Sequence, residues 1–114
     1  MDSTQTPQLN DYVVAIYTPG PKWQAGQSAM EQGAREHIDY QHLLYDQGRL
    51  ALGGPWLDRE GGMALFSVGG VDEARALTDA DPLVQRGVYA VALYPWRESL
   101  GAVILRGDEF DEEE

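Results

Sequence analysis

His37 and Asp81 are the residues of this chain whose types and surroundings suggest chemistry. The stretch REHIDYQHLLYDQGRLALGGP, residues 35–55, puts His37 in the middle of an apolar helix face. The dipeptide Asp81-Pro82 then supplies an acid able to orient it. An imidazole held through one nitrogen by a carboxylate has a fixed tautomer, and its other nitrogen can take or deliver a proton. Proton transfer, elimination, isomerisation and lactone-type hydrolysis are all open to such a pair. A nucleophilic triad is less well supported, because Ser67 is the only serine that the strand pattern places near the sheet centre. Each residue also has a plainer reading. His37 can be a core histidine satisfied by a backbone carbonyl. Asp81 can cap a helical turn over Pro82 to Arg86, with proline at the first helical position and Gly87 as terminator. Periodicity alone does not decide between these readings, and a cap does not exclude a site.

The elements that must position the pair follow from local signals. Ser28 reads as an N-cap, and Glu31 completes a capping box. The helix runs to about Gln47, where Gly48 supplies the left-handed stop. On that helix His37 lies within about 20° of Met30 and Leu44, flanked within about 60° by Gly33, Ala34, Tyr40 and Gln41. His42 falls about 140° away, on the solvent side.

Asp11 to Tyr17 (DYVVAIY) reads as a strand buried on both faces, Arg49 to Gly53 as a second, and Met63 to Val68 as a third. Asp72 caps a short helix that must end near Asp81. Val88 to Tyr94 is a fourth strand closed by Pro95, and Leu100 to Leu105 a short fifth. The order β-α-β-β-α-β predicts a ferredoxin-like α+β domain. Right-handed crossovers place both helices on one side of the sheet, so the other face is bare and apolar. A homodimer packed sheet to sheet is the expectation.

Composition removes several function classes. The 114 residues carry 8 Lys plus Arg against 19 Asp plus Glu, a formal net charge of −11. Neither nucleic acid nor an anionic membrane surface is therefore an expected partner. No cysteine is present, which excludes disulfides and thiolate chemistry. With no apolar stretch of export or membrane-spanning type, the cytoplasm is the expected location. The expected organisation is a flexible N-terminus over 1–10, one domain over 11–105 and an acidic disordered tail over 106–114. That tail, ending DEFDEEE, reads as a solvated end.

The ordered set His37, Gly48, Leu50, Gly54-Pro55, Met63 to Val68, Ala80-Asp81-Pro82 and Gly87-Val88-Tyr89 resembles the YCII-related domain, the YciI-like proteins. The closing Tyr94-Pro95-Trp96 is similar to the ending of such domains. The resemblance spans roughly residues 11–97. It implies a dimeric α+β barrel and a catalytic His–Asp pair, which carries over to His37 and Asp81. One biodegradative member of that family resembles a dehydrochlorinase of a hydroxylated aromatic, an analogy of fold. One departure is visible. The family often has arginine three residues before the histidine, where this chain has Ala34, and Arg35 would point about 100° away.

Gly54-Pro55-Trp56 offers a substrate-binding segment. The glycine permits close approach of a ligand, and Trp56 can wall an apolar pocket. The plainer reading is a strand connection whose tryptophan packs at the dimer interface. Trp23 reads either as a lid or as a pin fixing its loop to the core. The glycine pairs match no phosphate loop, and the two histidines face different ways with no HExxH, so no metal or cofactor is expected. The alternative to an enzyme is a non-catalytic dimeric ligand-binding or accessory module.

Overall fold

Alternation along the first strand sets the layering. In the computed structural model, which describes residues 10–100, β1 (Asp11–Pro19) buries Val13, Ala15 and Tyr17 on one side. On the other side Tyr12, Val14 and Ile16 are only half-buried. Successive strand side chains point to opposite faces, so one covered side gives this pattern. The expectation of a strand buried on both faces thus fails within a single chain, because helices cover only one of them.

The sheet has four strands in the order β2-β3-β1-β4, with all neighbours antiparallel. Helix α1 (Ala34–Asp46) joins β1 to β2 (Leu50–Pro55). Helix α2 (Val71–Asp79) and the one-turn α3 (Pro82–Gln85) join β3 (Gly62–Phe66) to β4 (Tyr89–Arg97). This is a ferredoxin-like α+β fold. Val13, Ala15, Ala64 and Phe66 form the covered side of the sheet and pack with Leu44, Ala74, Leu77 and Leu83 from the helices. The Tyr40 hydroxyl donates to the Leu77 carbonyl at 2.7 Å, tying α1 to α2. No helix among the described residues is long and apolar enough to cross a membrane.

Several boundaries differ from the sequence reading. The Ser28–Glu31 capping box forms, with Glu31 N–H donating to Ser28 Oγ at 3.1 Å and Ser28 N–H to Glu31 Oε1 at 2.8 Å. It leads only into a 3₁₀ turn, Met30–Gln32, whose N-cap is Ala29, and Gly33 at φ +98° breaks the helix before α1 restarts. A glycine in that left-handed well ends one helical segment and re-aims the chain without a Cβ penalty. Asp72 is not the cap of α2. Gly70 holds that place, and Asp72 sits in the first turn, where its charge still favours the helix N-terminus. β4 runs through Pro95 to Arg97, with Pro95 opposite Val13. β4 is an edge strand, and there a missing N–H need not break a ladder bond. The proposed fifth strand lies almost wholly outside the described residues, as does the acidic tail.

Candidate functional site

α1 and the turn that opens α3 bring His37 and Asp81 together. Residue 81 precedes proline, which holds it in extended backbone (φ −68°, ψ 127°) and lets its side chain turn back over α3. Its Oδ1 accepts the Leu83 N–H at 3.0 Å, the N-cap bond. Oδ2 lies 2.6 Å from His37 Nδ1. Cap and histidine partner are therefore the same carboxylate, one oxygen for each. Asp81 is 1% exposed and His37 12%, so the pair is shielded but the imidazole still reaches an opening. With Nδ1 donating to the carboxylate, Nε2 is the nitrogen left for chemistry, and no protein partner meets it among the described residues.

That opening is a cavity of about 330 Å³ between α1 and the β2–β3 end of the sheet. Ala29, Met30, Ala34, His37, Ile38 and Gln41 line its helical wall. Gly54, Pro55, Gly61, Gly62 and Met63 line the opposite wall, and Tyr17 and Tyr89 contribute from the sheet. Gly54 and Pro55 thus stand at the same cavity as His37. Trp56 does not line it. Its backbone N–H donates to the Gly61 carbonyl at 3.0 Å across the β2–β3 connection. Asp81 sits behind His37 rather than at the wall.

Tyr17 and Tyr89, together with Gln41, are site residues the sequence reading missed. Both rings meet the imidazole edge to face, at centroid distances of 5.2 Å for Tyr17 and 5.1 Å for Tyr89. Burial and the Asp81 charge push the Tyr17 phenol well above its usual range, against a hydrogen bond from Gln41. Burial likewise raises Tyr89, with help from Glu60 and Asp81. Both are therefore neutral at physiological pH. Two signals for these residues were available. Tyr17 shares strand parity with Val13 and Ala15, and Gln41 follows His37 by one helical turn. Trp23 stacks on Tyr89 at 5.9 Å and 22°, pinning its loop to the core.

The cavity wall limits the chemistry. Among the described residues it carries no serine, threonine, cysteine or lysine, so these offer no covalent nucleophile of those types. Ser67 is exposed and is not a lining residue. His42 lies outside it, on an adjoining groove along α1 and β2 that shares Ile38, Gln41, Gly54 and Pro55 with the cavity. Among the described residues, no group of three or more His, Cys, Asp or Glu is arranged to hold a metal ion.

The YCII-related domain model matches residues 12–97. Among solved structures, the chain is similar to 5-chloro-2-hydroxyhydroquinone dehydrochlorinase (TftG) from Burkholderia phenoliruptrix AC1100, in complex with 2,5-dihydroxybenzoquinone. The two share 19% identity with a TM-score of 0.58, over 76% of this chain and 95% of that one. At that identity the likeness speaks for the fold. No curated protein matches the chain significantly.

Proposed function

Because this chain belongs to the YCII-related family, we propose that it is a small-molecule enzyme in which His37 transfers a proton and Asp81 orients it. The observation that carries this reading is the 2.6 Å contact between a buried carboxylate and an imidazole whose other nitrogen meets a mostly apolar cavity. Asp81 holds the Nδ1–H tautomer and stabilises the imidazolium that forms when Nε2 takes a proton. The proton then returns to another atom of the substrate, which is isomerisation. Alternatively a leaving group departs with its electron pair, which is elimination. The neighbour that acts on a chlorinated hydroxyhydroquinone supports the second route as the first to try.

The test is chloride release from 5-chloro-2-hydroxyhydroquinone, followed by a panel of hydroxylated aromatics. His37→Gln is expected to lower turnover by roughly 10²–10⁴-fold with its circular dichroism unchanged. Equal turnover in the variant would sink the reading. A compound that stabilises both proteins equally and yields no product would return the binding-module alternative.

The working unit we infer is a homodimer. The side of the sheet without helices presents Tyr12, Val14, Ile16, Tyr94 and Trp96, none of them charged. Tyr94 is 55% and Trp96 48% exposed, a large apolar surface for a single chain to leave in water. Two acidic chains can approach through this face without opposing like charges, which favours a second copy as its cover. Sedimentation of the wild type is expected to give a dimer, and Val14→Asp a folded monomer. A monomeric wild type would refute the arrangement. The cysteine-free composition suits a reducing compartment, and we place the dimer in the cytoplasm.

A further inference from the structure

Resting on the reading of His37 as a proton carrier, we propose that this cavity selects an uncharged hydroxylated ring and rejects carboxylates and phosphates. The ground is the charge inventory of its wall. Apart from the imidazole, no lining residue among the described residues is Asp, Glu, Lys, Arg or His. Ala34, Ile38 and Gln41 flank His37 on the helix, at positions where a guanidinium or ammonium would have met an anion. Of the six arginines in the described chain, Arg86 binds Glu36, Arg59 binds Asp58 and Arg97 binds Asp11, which leaves Arg35, Arg49 and Arg75. None of them lines the cavity.

The charge behind the wall points the same way. Asp81 and a protonated His37 sum to zero, and Asp81 with a neutral His37 sums to minus one. A bound anion therefore meets no net positive charge in either protonation state, while it loses its water. The lining phenols, raised chiefly by burial, are raised further by negative charge, Tyr17 by Asp81 and Tyr89 by Glu60 and Asp81. A cation is drawn by that charge, but it too must give up its water. The polar groups of the wall are neutral, and they replace the hydration of an ammonium poorly. What remains is a neutral molecule. A ring fits the tyrosine faces and the apolar wall, and a hydroxyl fits His37 and Gln41. A volume of about 330 Å³ suits a single substituted ring.

The test uses three matched probes on the full chain: 4-methylphenol, 4-hydroxybenzoate and 4-hydroxybenzylamine. Binding is followed by the NMR signals of His37, Tyr17 and Tyr89. The neutral phenol is expected to bind at least about tenfold more tightly than the anion or the cation, a preference worth ~1.4 kcal/mol. Ile38 lines the cavity at 36% exposure, so Ile38→Arg can add a guanidinium at its mouth and is expected to turn the preference toward 4-hydroxybenzoate. The proposal is overturned if the wild type holds 4-hydroxybenzoate or 4-hydroxybenzylamine as tightly as 4-methylphenol. It is overturned equally if none of the three probes binds.

This outcome separates from the fate of the catalytic reading. Neutral preference with turnover unchanged in His37→Gln removes the proton carrier and leaves the selection standing. Turnover that depends on His37, with the anion bound best, does the reverse.

Discussion

Asp81→Asn is expected to stay within about 1 kcal/mol of wild-type stability while losing roughly 10²-fold or more in turnover. The two effects separate because the two oxygens of Asp81 do different work. Oδ1 caps α3 through the Leu83 N–H, and asparagine caps a helix about as well as aspartate. Oδ2 takes the His37 Nδ1–H at 2.6 Å, and there the negative charge matters. An amide can still contact the ring, but it does not stabilise an imidazolium, and by rotating it can favour the wrong tautomer.

Asp81→Ala removes both bonds. The lost cap costs about 1 kcal/mol. A shielded imidazole nitrogen left without its partner costs about 1–3 kcal/mol more. In a domain of this size each kcal/mol lowers Tm by roughly 4–8 °C. Thermal unfolding and turnover measured on both variants decide the matter, with the ¹⁵N shifts of His37 reporting its tautomer. An Asn variant as active as wild type would reduce Asp81 to a helix cap.

Gly61→Ala is expected to destabilise the fold by about 3 kcal/mol or more and to deform the cavity with it. Gly61 has φ +99°, where a Cβ is strained, and a Cβ built there would run into the Tyr17 carbonyl oxygen. Backbone rather than a flexible side chain is in the way, so β1 or the β2–β3 connection must move. Either shift disturbs the cavity, because Tyr17 and Gly61 both line it. Gly48→Ala is the natural control. Its φ is +80°, but the added Cβ meets nothing within 4 Å. It therefore loses only the backbone term, about 1–2 kcal/mol. Denaturant unfolding of the two variants should show Gly61→Ala clearly the worse. Equal losses would mean that the close approach at Tyr17 carries no weight.

Much of the framework was legible in local sequence. The Ser28–Glu31 capping box, the left-handed Gly48, the Asp81 cap with Pro82 behind it and the Gly87 terminator all involve residues within one or two turns of each other. Such interactions depend on neighbours in the chain, so residue type and spacing suffice to state them. The order of strands and helices followed, and connection rules then left the ferredoxin-like topology. The helix break at Gly33 was not legible, because a glycine inside a periodic stretch reads equally as a tolerated residue. Nor was the passage of β4 through Pro95, which depends on the strand lying at an edge.

The pair itself stands between these cases. Sequence suggested His37 by its helix face and Asp81 by its turn, and each had a sufficient explanation without the other. Their 2.6 Å contact across 44 residues belongs to the packing of α1 against α3. The surroundings were decided wholly by tertiary structure. Tyr17 and Tyr89 come from two strands, Gly61 from the connection before β3 and Gly62 from the start of β3, while Trp56 lies next to lining residues in sequence but off the wall. A cavity is empty space bounded by segments distant along the chain. No single segment has a pattern that records it, because the hydrophobic period of a helix or strand says which side is covered, not where the cover stops short.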